Sequence, residues 1–249
     1  MILTQKVAII TGGTSGIGLA TAQKLSQEGY RLVLASVDKE EQVEAALESL
    51  GHTDSILHVA CDVSDPSQCQ AAVDKALDAF GRLDVLVNVA GITGERGDFL
   101  DYDLSLINQI IQINLMGTIS FCQAAGQKMK EAGQGCIINV GSICSFLANG
   151  ENIGYHASKG GVKMATQAIA RELGPHGVRV LMVSPGWVNT SMMRGDLKDF
   201  GDSLHMKERV IEPEEVANAI YLLTLPEASA INGTNVMVED GYTSFKGIF

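Results

Sequence analysis

Two residues four positions apart, Tyr155 and Lys159, could carry out proton transfer. They stand at the start of a predicted helix, and this spacing projects both side chains from one helix face. A phenol titrates near pH 10, but a neighbouring ammonium favours the phenolate and brings its pKa toward the neutral range. The pair therefore predicts a tyrosine acid–base catalyst. Taken alone, the same spacing would be explained more simply as a surface Tyr/Lys pair.

Two further polar residues could complete such a site. Ser142 ends a predicted fifth strand, which would put its hydroxyl at the carboxyl edge of a parallel sheet, where open α/β folds bind ligands. Asn114 interrupts an apolar run at 110–115, in the middle of a long predicted helix. A buried amide needs partners, usually a bound water or a backbone group. A satisfied structural amide is the alternative role for Asn114.

A glycine-rich turn directly follows the first predicted strand and opens into a helix. Its residues are Thr11, Gly12, Gly13, Thr14, Ser15, Gly16, Ile17 and Gly18. Glycines let the backbone turn sharply and approach a pyrophosphate, and the helix N-terminus offers free N–H groups. The spacing is GxxxGxG and not the GxGxxG of the dinucleotide fingerprint. The turn alone is therefore also explained by steric needs.

Short β-branched runs alternate with helical stretches along the chain. Strands are predicted at 6–11, 31–36, 56–61, 85–90, 136–142, 179–184 and 235–240, and helices at 20–28, 42–50, 68–80, 104–130, 155–174 and 213–225. The strands are almost continuously apolar, as in strands buried on both faces of a parallel sheet. This pattern predicts one doubly wound α/β domain over residues 1–249, a Rossmann-type fold with a seven-stranded parallel sheet between helices.

Composition limits the partners and the location. The 29 acidic and 18 basic side chains give a net charge of −11, which would repel nucleic acid. Since no stretch approaches the roughly 18 uninterrupted apolar residues of a membrane span, we expect no membrane partner. The N-terminus shows no secretory signal, so the cytoplasm is expected.

Five scattered cysteines lack any CxxC pair, so neither a disulfide framework nor a metal site is predicted. They are Cys61, Cys69, Cys122, Cys136 and Cys144. A role as buried apolar filler is expected of each. The exception is Cys144, which follows Ser142 closely and could face a substrate.

Together these motifs resemble the short-chain dehydrogenase/reductase family, in its compact single-domain branch, over essentially the whole chain. The family's TGxxxGxG turn matches the glycine-rich turn described above. Its Asn-Ser-Tyr-Lys tetrad falls on Asn114, Ser142, Tyr155 and Lys159, with a Ser-to-Tyr separation of 13 that is typical of the family. The resemblance implies hydride transfer between a nicotinamide and a secondary alcohol or ketone. Tyr155 would transfer the proton, Ser142 would bind the substrate oxygen, Lys159 would lower the Tyr155 pKa and hold the ribose, and Asn114 would anchor a water.

The resemblance also implies the cofactor contacts. An Asp after the third strand holds the adenine in the family, and the family's NNAG segment appears here as Asn88-Val89-Ala90-Gly91, with Val in place of the second Asn. The expected cofactor residues are Gly12, Thr14, Ser15, Gly16, Ile17, Gly18, Ser36, Asp38, Asp62, Val63, Asn88, Ala90, Gly91, Tyr155, Lys159, Pro185, Gly186, Val188 and Thr190.

The choice between NAD and NADP depends on the end of the second strand, where a carboxylate repels a 2′-phosphate and a basic residue accepts it. Ser36 stands where NAD-using relatives carry Asp, and Asp38 follows two residues later. The acid at Asp38 favours NAD. NADP remains the alternative if Lys39 turns inward beside Ser36.

The substrate is expected to be an apolar or amphipathic ketone or secondary alcohol, such as a steroid- or lipid-like molecule, in preference to a small charged acid. Small polyols and sugars are the alternative. By analogy with the family, Ser142, Cys144, Tyr155 and Trp187 contact it, and the expected pocket also includes Ile92, Thr93, Ile143, Phe146, Asn149 and Ile153. The segment 190–211 has no place in the predicted sheet and reads either as a substrate flap or as a helix packed on the body.

Two expectations about the whole molecule remain. Relatives of this length are usually homotetramers, built through two long helices and the last strand, and the apolar tail Phe245, Ile248 and Phe249 would suit burial there. A catalytically silent dinucleotide-binding sensor or scaffold is the alternative function. Such relatives generally lose the Tyr or the Lys, and both are present here.

Overall fold

The computed structural model describes residues 5–193 and 198–245. Its strands are β1 (Val7–Thr11), β2 (Arg31–Ser36), β3 (Ile56–Ala60), β4 (Val85–Asn88), β5 (Gly135–Val140), β6 (Val178–Pro185) and β7 (Asn235–Val238). Its α-helices are α1 (Gly16–Gln27), α2 (Glu40–Ser49), α3 (Pro66–Phe80), α4 (Leu104–Ile111), α5 (Gly117–Ala132), α6 (Ile153–Leu173), α7 (Lys198–Leu204), α8 (Pro213–Thr224) and α9 (Tyr242–Phe245).

All the described strands pair in parallel in one sheet of order β3-β2-β1-β4-β5-β6-β7. The order reverses between β1 and β4, so the loops after these two strands diverge and leave a crevice at the carboxyl edge. The predicted Rossmann-type fold with seven parallel strands is confirmed.

The strands are apolar throughout because both faces of the sheet are covered. On β1, Val7 and Ile9 pack into a core cluster with residues of α3 and α5, including Phe121. Ala8 and Ile10 pack on the opposite face with residues of α1 and α8. Successive side chains of a strand point to opposite faces, so a strand between two helical layers needs apolar residues at every position.

The ends of β1 and β4 are tied together by one threonine hydroxyl. Thr11 Oγ1 accepts hydrogen bonds from the backbone N–H of Val89 at 2.9 Å and of Ala90 at 3.0 Å. The chain therefore leaves the sheet after Asn88, two residues earlier than the predicted strand 85–90. This turn forms the floor of the crevice.

The predicted boundary of β5 is wrong at the site. The strand ends at Val140, and Ser142 lies beyond it as the cap of a short 3₁₀ turn at Ile143–Ser145. Ser142 Oγ accepts the Cys144 backbone N–H at 3.1 Å. Serine hydroxyls commonly bond the backbone two residues on, and this favours turns over continued strand.

The long predicted helix at 104–130 is present as α4 and α5, joined by a π-helical turn at Gln112–Met116. By length and composition the stretch Leu104–Ala132 is apolar enough to cross a membrane, although only 28% of its most apolar window is buried. Its middle carries the buried Asn114, and α5 contributes Phe121 to the core. These contacts show that the helix is a layer of this fold.

The segment after β6 crosses the carboxyl edge of the sheet. Val188 forms a parallel bridge with Ile211, which closes a loop that contains α7. Trp187 packs edge-on against Phe200 of α7, with ring centroids 5.7 Å apart. Residues 194–197 of the predicted flap and residues 246–249 of the predicted apolar tail lie outside the described part of the chain.

Candidate active site

Tyr155 and Lys159 lie one turn apart on α6 at the carboxyl edge of the sheet. The helix begins at Ile153, so both residues fall within its first two turns. Lys159 is buried, and its Nζ lies 5.7 Å from the centre of the Tyr155 ring. The Nζ donates a hydrogen bond to the Val140 carbonyl at 2.8 Å. The last residue of β5 therefore fixes the lysine beneath the tyrosine.

Burial controls the protonation of both groups. It raises the pKa of Tyr155 to about 12; the nearby Cys144 acts in the same direction, and a hydrogen bond with Ser142 acts against it. Burial lowers the pKa of Lys159 to about 8, while Cys144 acts to raise it. The expected lowering of the Tyr155 pKa by Lys159 is therefore not seen in the protein alone. The free energy of removing the phenolate from water is the largest cause of this shift, and it exceeds the opposing hydrogen bond with Ser142.

Asn114 is held in the π-helical turn by bonds to backbone and to a neighbouring hydroxyl. Its Oδ1 accepts the Ile92 N–H at 2.8 Å, and its Nδ2 donates to the Ile92 carbonyl at 2.8 Å and to Ser158 Oγ at 3.1 Å. The amide thus clasps the loop after β4 and joins it to α6. Asn114 therefore has the role of a satisfied structural amide, which is the alternative predicted from the sequence. It lies between the loop after β4 and α6.

The glycine-rich turn leaves room for a phosphate group at the start of α1. Gly12 and Gly16 have positive φ angles of 63° and 48°, which β-carbon-bearing residues rarely adopt. A Cβ on Gly18 would lie 2.0 Å from the Gly12 carbonyl oxygen. The turn can therefore fold tightly over the helix N-terminus, whose free N–H groups suit a pyrophosphate.

A cavity of about 380 Å³ runs from this turn to Tyr155 and Lys159. The expected cofactor residues that line it are Gly12, Ser15, Gly16, Ile17, Ser36, Asp38, Asp62, Val63, Ala90, Gly91, Tyr155, Lys159, Pro185, Gly186, Val188 and Thr190. The acidic side chains, glycine backbone and basic end group of this cavity fit a dinucleotide, from its adenosine to its nicotinamide.

Three expected cofactor residues lie behind this surface. Thr14 is buried, and its hydroxyl donates to Asp38 Oδ2. Gly18 packs against Gly12, and Asn88 Nδ2 donates to Asn139 Oδ1 at 2.9 Å between β4 and β5. The sequence predicts all three as cofactor contacts, because residue type alone does not distinguish a residue that lines a cavity from one that lies behind its wall.

The adenosine end of the cavity carries a carboxylate and an engaged hydroxyl. Asp38 lines the cavity and is held by Thr14. Ser36 Oγ lies 3.1 Å from His58 Nε2, so its hydroxyl already has a partner. Burial lowers the pKa of His58, and Asp38 opposes that shift. Lys39 is exposed and caps α2 outside the cavity.

A second cavity, of about 450 Å³, meets the first at Ser142, Tyr155, Gly186, Val188, Thr190 and Met192. Of the expected substrate contacts, Ser142, Cys144, Tyr155 and Trp187 line it, as do Thr93, Ile143 and Asn149. Three further residues of the expected pocket do not line this cavity. Ile92 lines the first cavity instead, and Phe146 and Ile153 turn outward. The Phe146 ring lies 4.2 Å from Lys163 Nζ on the helix surface.

Comparisons with known proteins agree with this geometry. A family model described as enoyl-(acyl carrier protein) reductase matches residues 12–243. A D-threitol dehydrogenase of Mycolicibacterium smegmatis is 36% identical over 249 residues, covering 97% of this chain and 94% of that protein. A cis-4-hydroxycyclohexanecarboxylate dehydrogenase of Sinomonas cyclohexanicum is 35% identical over 244 residues, covering 96% and 97%. The solved structure of ElxO with NADP bound is 28% identical, with a TM-score of 0.90 over 96% of this chain and 99% of that one.

The chain belongs to the short-chain dehydrogenase/reductase family. It is an NAD(P)-dependent oxidoreductase that acts on the CH–OH group of a secondary alcohol or on the matching ketone. The alternative of a catalytically silent sensor or scaffold is not favoured. In this short-chain dehydrogenase the two cavities meet at Ser142 and Tyr155.

Sequence reasoning missed one residue of this dehydrogenase, His205. It is buried beside α7, and its Nε2 accepts the Trp187 N–H at 3.3 Å, in the turn that follows Pro185. Its ring also lies edge-on to Tyr242, with centroids 6.2 Å apart. The imidazole thus ties the predicted flap to the turn between the cavities. A lone His among charged residues gave no periodic signal for this role.

The protonation of His205 should influence stability. Burial lowers its pKa below the ordinary 6.5, and Asp240 and Glu239 oppose this only partly. The unfolded chain therefore binds a proton on this group at a higher pH than the folded chain does, and stability falls as the pH drops below about 6.5. We expect His205→Gln, which keeps an acceptor but cannot titrate, to flatten the pH dependence of the free energy of unfolding between pH 7 and 5.

Urea denaturation at several pH values measures this effect, and His205→Leu serves as the comparison. The leucine variant should also flatten the profile but lose stability at pH 7, because the Trp187 N–H is left without its acceptor. An unchanged slope in both variants would assign the pH dependence to other groups.

A separate exposed cluster on and after α2 brings possible metal ligands together. One ligand atom each from Glu44, Glu48 and His52 lies within 4.8 Å of the others. Glu44 and Glu48 lie one turn apart on α2, and His52, which follows the helix, has its Nε2 3.2 Å from Glu44 Oε1, so contacts between exposed side chains explain the grouping.

Proposed function

We propose that a single domain spanning residues 1–249 interconverts a secondary alcohol and its ketone, with Tyr155 as the proton-transfer residue. One observation carries the proposal: Ser142 and Tyr155 line both cavities, and Lys159 lines the first cavity one turn after Tyr155 on α6. A substrate in the second cavity can thus present its oxygen to Ser142 and Tyr155 while its carbon faces the first cavity.

The raised pKa of Tyr155 keeps the phenol neutral near pH 7, and the neutral phenol is a proton donor. A bound dinucleotide supplies or accepts the hydride at the substrate carbon and, when oxidised, adds a positive charge near the phenol. In reduction the substrate oxygen gains its proton from Tyr155 Oη, and in oxidation it returns a proton to the phenolate. Ser142 orients that oxygen by a hydrogen bond.

Lys159 and Asn114 act by positioning. The Lys159 ammonium is oriented by the Val140 carbonyl, and it stabilises the phenolate that forms during turnover. Lys159 is also the residue expected to hold the nicotinamide ribose. Asn114 keeps the loop after β4 against α6, which maintains the width of the crevice. We also propose that Asn114 anchors a water, as the resemblance to the family implies.

Tyr155→Phe should lower kcat by at least a hundredfold, because it removes the transferable proton and little else. Dinucleotide affinity, measured by fluorescence titration, should stay within threefold of the wild type. Tyr221→Phe is the matched control, because its hydroxyl bonds Glu28 on the surface and touches neither cavity. Activity of Tyr155→Phe within tenfold of the wild type would refute the assignment.

We propose NAD as the preferred cofactor. The Asp38 carboxylate lines the adenosine end and is oriented by Thr14, where it can accept hydrogen bonds from ribose hydroxyls and repel a 2′-phosphate. The Ser36 hydroxyl is engaged with His58, and Lys39 lies outside the cavity. The NADP bound to ElxO supports the binding of a dinucleotide in the first cavity. The preference for NAD over NADP rests on Asp38, Ser36 and Lys39.

Titration with NADH and NADPH tests this preference directly. The wild type should bind NADH more tightly, and Asp38→Asn should weaken NADH and strengthen NADPH, moving the ratio of their dissociation constants by about tenfold as one charge contact is lost. Asp54→Asn removes an equal charge from an exposed loop and should change neither. A wild type that prefers NADPH would refute the proposal.

The substrate is proposed to be a small molecule with an apolar or amphipathic body. Trp187, Phe200, Leu204, Met192 and Met193 line the second cavity. The named relatives act on a polyol and on a substituted cyclohexanol, so the shared feature is the secondary alcohol.

We propose a homotetramer in the cytoplasm, without nucleic-acid or membrane partners. Leu104 is 70% and Met116 41% exposed on the long helix, and Met164 is 61% exposed on α6. A partner subunit would cover these apolar side chains, as family members of this size do. None of the five cysteines forms a disulfide within the described residues, as suits a reducing compartment, and recovery of the activity in the cytosolic fraction after cell lysis would test that location.

Light scattering should give a mass near four times 26.4 kDa. Met164→Glu should lower this mass, because a charge would be buried without a partner in the interface. Lys163→Glu introduces an acid at the neighbouring position and serves as the control. A monodisperse wild-type monomer would rule out the assembly.

A further inference from the structure

The second cavity carries a charge that the proposed reaction does not use. The described residues that line it include no aspartate, glutamate or lysine, and Arg96 is the one lining side chain among them that is ionised at neutral pH. The whole chain has a net charge of −11. A cavity with a positive charge on so acidic a protein favours an anionic ligand over a cationic one.

The Arg96 guanidinium has no hydrogen-bond or ion-pair partner among residues 5–193 and 198–245. By contrast, Arg209 pairs with Glu215 at 2.7 Å, and Arg179 donates to the Leu223 carbonyl at 2.7 Å. An arginine presents a planar fork of donors that matches a carboxylate through two parallel hydrogen bonds. Arg96 therefore offers this fork to a ligand.

The backbone on both sides of Arg96 is fixed. The Glu95 carbonyl accepts a hydrogen bond from the Tyr102 hydroxyl, and the Gly97 N–H donates to the Glu151 carbonyl at 3.1 Å. The second bond ties this loop to the loop that precedes α6. Arg96 is exposed, so it lies at the solvent edge of the cavity, whereas the Tyr155 side is more deeply buried.

The other basic side chain that lines this cavity, His156, already has hydrogen-bond partners. His156 Nδ1 lies 2.7 Å from the Asn152 carbonyl, and His156 Nε2 accepts the Asn149 N–H at 3.3 Å. Both ring nitrogens therefore have backbone partners on the loop before α6. His156 thus shapes the wall of the cavity and leaves the recognition of an anion to Arg96.

We propose that Arg96 binds a carboxylate of the substrate, so that this dehydrogenase acts on a hydroxy acid or oxo acid with an apolar body. The proposal rests on the proposed function, since it takes the hydroxyl or keto group to lie at Ser142 and Tyr155. Leu147, Trp187 and Leu204 then contact the body between the two polar ends. A cyclic acid spans such a site better than a short polyol, whose hydroxyls would lie against apolar side chains.

The test compares 4-oxocyclohexanecarboxylate with its uncharged amide in the wild type, Arg96→Gln and Arg96→Lys. The wild type should prefer the acid in kcat/KM by at least tenfold. Arg96→Gln should raise KM for the acid about tenfold, with kcat and the amide kinetics within twofold, and Arg96→Lys should fall between. Arg171→Gln, on the exposed face of α6, removes the same charge outside both cavities and should change nothing.

Binding of the unreactive cyclohexanecarboxylate, measured by calorimetry against cyclohexanecarboxamide, separates this proposal from the reaction. Preference for the carboxylate in the wild type, lost in Arg96→Gln, supports the subsite even if no ketone is reduced, and in that case only the proposed function fails. Equal binding of the two compounds, or an equal loss for both in Arg96→Gln, overturns the subsite while leaving turnover of neutral ketones intact.

Discussion

The hydrogen bond from Lys159 to the Val140 carbonyl governs much of the site. An ammonium group is strongly hydrated, so its burial at the edge of the sheet requires a replacement for water. The carbonyl at the end of β5 provides it, because the ladder to β4 ends at the Asn88–Asn139 pair, one residue before Val140. This bond joins α6 to the end of β5. The position of Tyr155 relative to the edge of the sheet therefore depends on the register of β5.

Other deviations from regular structure follow from the need to satisfy buried polar groups near this point. The π-helical turn at Gln112–Met116 brings the Asn114 amide to the Ile92 backbone. In an uninterrupted α-helix the side chain at this position would point in a different direction around the helix axis. The same amide reaches Ser158, the residue before Lys159. The loop after β4, the long helix and α6 therefore meet at one side chain, and a change in any of them would move the catalytic pair.

Sequence predicts the fold well because burial on two faces leaves a strong, local signal in each strand. It also predicts which residues gather at the junction, since the carboxyl ends of parallel strands share an edge. It fails where the outcome depends on long-range geometry. Gly18 and Asn88 brace the cofactor wall instead of lining it, and Phe146 turns out to solvent because the 3₁₀ turn after Ser142 redirects the chain. The role of His205 depends on a contact across 18 residues with Trp187.

The pKa of Tyr155 shows most clearly what a motif leaves open. The Tyr/Lys spacing predicts a lowered pKa, yet burial raises the pKa of Tyr155 to about 12, because the low-polarity surroundings disfavour the phenolate more than the hydrogen bond with Ser142 favours it. A catalyst of this design is a poor base until a further positive charge arrives. Under the proposed function, the protein alone holds its proton on the tyrosine, and an oxidised nicotinamide in the neighbouring cavity would favour the phenolate that removes a proton from the alcohol. Proton removal would then be coupled to occupation of the first cavity.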